Sequence, residues 1–134
     1  LLSCSIRKEM LKVLSYLRSH YKQLCLTNNI KTGIGAGMSS TQKEAVATEK
    51  AMSVFNYIIE SSKVGFRKPE KEIYELACER LAMPCEQIVY LDDLGINLKP
   101  ARAMGMKTIK VRSERQAIAD LGNILELDLV ALTK

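Results

Sequence analysis

Apolar positions along this chain change their period several times, and each change marks an element. Ile6, Met10, Val13, Leu14 and Leu17 recur at helical spacing and predict an amphipathic helix over residues 5–20. Gln23-Leu24-Cys25-Leu26-Thr27 is a short apolar run closed by Asn28-Asn29, a buried strand followed by a polar turn. Residues 30–40 carry Gly33, Gly35 and Gly37, but Met38 breaks the phosphate-loop glycine spacing, so the segment reads as a mobile loop. Thr41-Gln42-Lys43-Glu44 has the form of a capping box and opens a helix to about Val54. Tyr57-Ile58-Ile59 is a second strand. Lys68-Pro69-Glu70 then starts a helix, with proline at its first position and Ile73, Leu76, Ala77 and Leu81 as its buried stripe. Ile88-Val89-Tyr90-Leu91 is a continuous apolar run, as expected of a parallel strand covered on both faces. Asn97 is expected to cap a short helix ending at Gly105, Thr108-Ile109-Lys110-Val111 to form a fourth strand, and residues 115–125 to form a last helix. Strands alternating with helices predict an α/β fold built on a parallel sheet with right-handed crossovers.

Composition changes this picture little. At 134 residues the chain is one domain in size, and 47% apolar and 26% charged residues are ordinary for a globular protein. No apolar run approaches the roughly 18 residues of a membrane span. Cys4, Cys25, Cys78 and Cys85 form no C-x-x-C pair, which favours reduced thiols and an intracellular protein, cytoplasmic ahead of mitochondrial or peroxisomal. Cys25 reads as a small buried hydrophobe, and His20 as a helix C-terminal residue instead of a metal ligand. The net charge of +5 suits anionic small molecules. The basic residues are scattered and aromatics are 5%, so neither a nucleic acid nor a membrane is an expected partner.

The chemistry gathers at one edge. Ligands of open parallel sheets bind beyond the carboxyl ends of the strands. There the sequence places Thr27-Asn28, a loop with Lys63, Arg67 and Lys68, and Asp92-Asp93. The Thr27 hydroxyl and the Asn28 amide can donate to phosphate oxygens, and Lys68 supplies a compact positive charge. Carboxylates repel phosphate but can hold Mg²⁺, which bridges the two. Singly, a Thr-Asn at a strand end is a turn, and a lysine before proline is a solvated charge. Two adjacent carboxylates closing an apolar strand are harder to dismiss, because they repel each other and call for a cation or a donor.

The ordered set resembles the haloacid dehalogenase superfamily. Ser61-Ser62-Lys63-Val64-Gly65-Phe66-Arg67-Lys68-Pro69-Glu70 is similar to its lysine motif, and Leu26-Thr27-Asn28-Asn29 to its hydroxyl motif. Tyr90-Leu91-Asp92-Asp93-Leu94-Gly95-Ile96-Asn97-Leu98-Lys99-Pro100-Ala101-Arg102 is similar to its acidic motif. Within the superfamily the chain resembles the phosphatase-like domain of soluble epoxide hydrolases and the related domain fused to some acyl-CoA dehydrogenases, from about Met10 to Leu121. The resemblance implies a Rossmann-like parallel sheet with flanking helices, and a phosphorylated small molecule as substrate. It also implies phosphoryl transfer through an aspartyl-phosphate. Asp93 would then be the direct Mg²⁺ ligand with Asp92 as its support. Lys68 would serve catalysis and phosphate binding, and Thr27 and Asn28 would bind phosphate oxygens.

One departure is serious. The superfamily's nucleophile lies in an Asp-x-Asp motif after its first strand, whereas this chain has only Asp92, Asp93, Asp120 and Asp128. The first strand and most of the cap are also missing. The chain therefore reads as a single core domain over residues 1–134, the C-terminal portion of a longer domain, and inactive by itself. The absent strand would lie between the strand ending at Thr27 and the strand ending at Asp92, leaving two open edges. Open edges pair with other chains, so pairing with an N-terminal segment or homodimerisation is expected. The rival is a non-catalytic module that keeps the fold for binding or regulation. A phospho-receiver would place its acidic pair first and its lysine last, and a dinucleotide-binding domain would need a glycine fingerprint after a strand; neither matches.

Overall fold

Helix α1 (Lys8–Leu17) forms where the sequence repeats apolar residues at positions i, i+3, i+4 and i+7, and its stripe of Met10, Val13, Leu14 and Leu17 is buried. The computed structural model describes residues 8–28 and 53–133. The expected start of this helix, the glycine-bearing loop and nearly all of the helix expected over 41–54 lie outside the described residues. His20 sits past α1, in the turn that follows it, with its ring 5.2 Å from that of Tyr16.

Strand β1 (Leu24–Thr27) begins one residue later than the apolar run predicts. Gln23 is buried and polar, and its side chain donates to the Leu14 and Val54 carbonyls at 3.0 and 2.8 Å. It ties the end of α1 to the approach of β2 (Tyr57–Glu60) and so does not extend the strand. β1 and β2 pair in parallel, from Leu24 opposite Tyr57 to Thr27 opposite Glu60. A single turn, α2 (Ser61–Val64), follows and is ended by Gly65 at φ 83°, a left-handed conformation that glycine adopts without cost.

Helix α3 (Lys71–Leu81) starts later than expected, and Pro69 lies outside it. The Lys68–Pro69 bond is cis, Glu70 is the N-cap, and the Glu70 carboxylate accepts from the Arg67 backbone N–H at 2.7 Å. Proline here shapes the loop that presents Lys68 instead of opening the helix. Ile73, Tyr74, Ala77 and Leu81 are buried, while Leu76 is only partly covered, because the stripe is centred one position from the expected one. A 3-10 turn (Cys85–Gln87) leads into β3 (Val89–Asp92). Cys25 is buried, and the Cys78 and Cys85 thiols, both free, lie 2.8 Å apart.

Helix α4 (Gly95–Ala103) has Leu94 at its N-cap. Asn97, expected as the cap, is inside the helix and buried, because its side chain serves a carboxylate instead of the helix end. Strand β4 (Lys107–Lys110) pairs in parallel with β3, from Val89 opposite Lys107 to Asp92 opposite Lys110. Helix α5 (Glu114–Leu125) opens with a capping box between Ser113 and Gln116, and a 3-10 turn (Val130–Thr133) follows.

The described strands thus form two parallel pairs, β1–β2 and β3–β4, and not one continuous sheet. Two apolar clusters lie on opposite faces. One joins α1, Cys25, Phe55, Leu91, Ile109 and α5; the other joins Leu26, Ile59, Tyr90, α3 and α4. A cavity of about 470 Å³ lies between β1 and β3. No helix among the described residues is long and apolar enough to cross a membrane.

Candidate functional site

The carboxyl ends of β1 and β3 meet at Lys68. Asn28, directly after β1, holds the Lys68 main chain from both sides. Its Oδ1 accepts from the Lys68 N–H at 2.8 Å, and its Nδ2 donates to the Lys68 carbonyl at 3.1 Å. The backbone being fixed, the side chain is buried to 6% exposure and aims Nζ at Asp92 Oδ2, 2.9 Å away. A lysine takes such a position only when a partner compensates its lost hydration.

Asp92 ends β3, with 2% of its surface exposed. Its Oδ1 accepts from the Leu94 N–H at 3.0 Å, just before α4. Its Oδ2 accepts from Tyr90 Oη at 2.7 Å and from Asn97 Nδ2 at 3.3 Å, besides Lys68. Tyr90 reaches the carboxylate because residues two apart on a strand share a face. Asn97 reaches it from the first turn of α4. Tyr74 closes the set from α3: its hydroxyl donates to the Asn97 carbonyl at 2.6 Å, and its ring meets that of Tyr90 edge to face at 5.7 Å.

Burial alone would raise the Asp92 pKa. The Leu94 N–H, the Lys68 ammonium and the Tyr90 hydroxyl together outweigh it, and the carboxyl stays below its ordinary value. The same negative charge works against its neighbours' ionisation. Burial and then Asp92 push Tyr74 up to about 12, and burial with the Asp92 contact pushes Tyr90 higher still. Both phenols are donors at neutral pH.

Asn28, Lys68 and Asp92 are thus joined by direct contacts. Thr27 is buried at the end of β1, next to Asn28. Asp93 turns the other way and is exposed, so the two adjacent carboxylates have opposite fates: Asp92 is filled by donors, Asp93 faces water. The Asn28 carboxamide is occupied by Lys68. Among the described residues no group of three His, Cys, Asp or Glu side chains could by itself hold a metal. Sequence reasoning missed Tyr90 and Tyr74 and gave Asn97 another task. Tyr90 was detectable, since it stands two residues before Asp92 in a strand; Tyr74 was not, since only the packing of α3 against α4 brings it near.

The chain is similar to known proteins in both sequence and fold. The family described as haloacid dehalogenase-like hydrolase matches residues 4–111. The chain is 34% identical over 124 residues to bifunctional epoxide hydrolase 2 of Rattus norvegicus, covering 90% of this chain and 21% of that protein. It is 31% identical over 121 residues to acyl-CoA dehydrogenase family member 10 of Mus musculus, covering 90% of this chain and 10% of that one. The chain therefore spans 21% and 10% of the length of these two curated relatives. Among solved structures, a wild-type HAD family enzyme from Bacteroides thetaiotaomicron in complex with magnesium and inorganic phosphate superposes with a TM-score of 0.63 at 22% identity, covering 81% of this chain and 54% of that one.

Proposed function

This chain belongs to the haloacid dehalogenase-like hydrolase family, and we propose that it carries the phosphate- and magnesium-handling part of a phosphoryl-transfer site without the residue that would be phosphorylated. The observation that carries this reading is the buried Lys68, fixed at its main chain by Asn28 and paired with Asp92 where β1 and β3 end. A lysine ammonium has three protons to donate, and Asp92 takes one. The others, with the Thr27 hydroxyl, would bind phosphate oxygens. Asn28 would keep Lys68 in place, and so would Asp92, Tyr90 and Asn97 behind it.

The donor chemistry fits Mg²⁺. This ion binds through one or two carboxylates, keeps several waters and takes the rest from phosphate. Asp93, exposed and at the end of β3, would hold it, with Asp92 as its support. When bound, the ion would neutralise charge on the phosphate oxygens. The substrate class supported here is a phosphorylated small molecule, in keeping with the net charge of +5.

Turnover needs a carboxylate free to attack phosphorus. Asp92 is enclosed by donors, Asp93 is assigned here to Mg²⁺, and Asp120 and Asp128 are hydrogen-bonded to Gln116 and the Ala131 N–H, away from Lys68. The chain by itself is then a phosphate binder and not a catalyst. Two measurements test this. With p-nitrophenyl phosphate and Mg²⁺ the chain should release no phosphate, and robust turnover would sink the reading. Titration of inorganic phosphate in the presence of Mg²⁺ should show binding that Asp93→Asn weakens. A second reading, a non-catalytic binding or regulatory module, is favoured by the closure of the network: among the described residues no buried side-chain nitrogen or oxygen lacks a partner. Absence of phosphate binding would select it.

A further inference from the structure

Two cysteines that the site does not use are brought together by the way α3 ends. Ala82, just past α3, takes a left-handed φ of 54°. The Ala82 N–H bonds to the Glu79 carbonyl at 3.1 Å and the Met83 N–H to the Cys78 carbonyl at 3.3 Å. These paired bonds stop the helix and reverse the chain. Pro84 is extended, and the 3-10 turn after it is closed by the Gln87 N–H on the Pro84 carbonyl and the Ile88 N–H on the Cys85 carbonyl, both at 3.0 Å. The main chain of both cysteines is thus held by hydrogen bonds, and their sulfurs meet at 2.8 Å.

A partly buried cysteine often packs as a small hydrophobe, and both border the apolar cluster that joins α3 and α4. That role accounts for each side chain but not for two sulfurs that face each other. A structural metal would need four ligands, and among the described residues no third His, Cys, Asp or Glu joins the pair. Neither thiol is sealed off. Both cysteines are partly exposed, and Glu79, Arg80, Ala82 and Pro84 between them face solvent.

We propose that Cys78 and Cys85 are a reversible disulfide site, oxidised by exchange with a small disulfide of the oxidised-glutathione class. Burial and then the neighbouring Cys85 push the Cys78 thiol up to about 12. Cys78 therefore stays protonated at neutral pH, and the first attack falls to Cys85. Cys85 gives up its proton, and its sulfur bonds to one sulfur of the small disulfide. The S–S bond there breaks, and the first small thiol leaves with a proton. Cys85, now capped, carries no charge, which removes one cause that kept Cys78 protonated. Cys78 then loses its proton, attacks Cys85 Sγ and expels the second small thiol, which takes up a proton. The pair of protein thiols is oxidised by two electrons, and one small disulfide is reduced to two thiols. The product ties the last turn of α3 to the turn that enters β3. Closing this loop restricts the unfolded chain and so favours the folded one. The pair stands at the amino end of β3, opposite the end that carries Asp92, so the cross-link lies away from the phosphate site.

The test uses the full chain, reduced and then held in excess oxidised glutathione. Arg80 separates the two cysteines, so trypsin leaves them on different peptides unless a disulfide joins them. The expected result is a linked Cys78–Cys85 peptide pair in the unreduced digest, separated again by dithiothreitol. The oxidised chain should have a higher urea midpoint than the reduced one. The two cysteines should also differ when each is left without the other. Cys78→Ser should trap a glutathione adduct on Cys85, whereas in Cys85→Ser the adduct on Cys78 should form slower by about tenfold or more. The proposal is overturned if the digest shows Cys78 and Cys85 unlinked, or linked to Cys4 or Cys25 instead. It is also overturned if the oxidised chain is no more stable than the reduced one, which would mean that the fold distorts to make the bond. Equal adduct rates in the two variants would overturn the order of attack.

Discussion

The β1–β2 and β3–β4 pairs are the same unit, four-residue parallel strands joined by a crossover, yet they bring opposite charges to the place where they meet. The first pair and its loop supply Asn28 and the cation Lys68; the second supplies the anion Asp92 with Tyr90 and Asn97. At the carboxyl end the two halves are bridged by a buried ion pair. In their middle they face each other across an apolar cavity. Among the described residues the halves are thus joined by directional polar contacts at one end and by two apolar clusters that each draw on both halves. The bridge fixes how the two pairs meet at their carboxyl ends.

Breaking the bridge should have the largest effect. Lys68→Met keeps most of the side-chain volume but leaves Asp92 buried without its cation. Removal of one partner of a buried pair costs about 3–5 kcal/mol, read as a fall in the urea midpoint at constant slope. A loss within the range of surface pairs, below about 1 kcal/mol, would mean that water reaches Asp92 and that the halves are not held there.

Acid attacks the same bridge from its other end. The folded-state pKa of Asp92 is lowered, so folding favours its ionised form. The stability this provides is fully present above the unfolded value of about 3.9 and is lost as pH falls through the lower folded value. The wild type should therefore lose stability in that window faster than Asp92→Asn, in which the titrating group is gone. Parallel profiles for the two proteins down to the acid limit would contradict the shift. Above pH 5 the two curves should run parallel.

Asn28 tests whether the bridge depends on how Lys68 is presented. Asn28→Ala frees the Lys68 N–H and carbonyl, both partly buried, and unsatisfied groups of that kind cost about 1–3 kcal/mol. Asn28→Asp keeps the acceptor for the Lys68 N–H and loses the donor, so it should fall between the wild type and Asn28→Ala. Equal losses for both variants would assign the whole effect to the donor.

Much of this architecture was legible from the chain. Apolar runs marked β1 and β3 to within a residue, because three of the four residues in each are buried, while β2 and β4, each with exposed positions, were marked by short β-branched stretches. The edge at which Thr27, Lys68 and Asp92 gather followed from strand order alone. What was not legible depends on distant partners. Asn97 looks like a helix cap because cap preference is local, and its actual partner is a carboxylate five residues earlier whose burial only the fold decides. Pro69 looks like the first residue of a helix, but the loop it shapes instead serves Lys68. The divergence of Asp92 and Asp93 also has no signal in the sequence, since β3 must first choose which of the two faces inward.

The smallest expected effect separates the halves most cleanly. Ser113 caps α5 by accepting from the Gln116 N–H at 3.1 Å, while the Gln116 side chain accepts from the Ser113 N–H at 3.2 Å. This box lies wholly within the second half and touches nothing at the bridge. Ser113→Ala should cost about 1 kcal/mol and leave phosphate binding unchanged. Combined with Lys68→Met, its cost should add to within about 0.5 kcal/mol, as it does for distant sites without shared partners. A larger coupling would show that loosening the bridge also loosens α5. The bridge and the two apolar clusters, each drawing residues from both halves, would then unfold as one cooperative core.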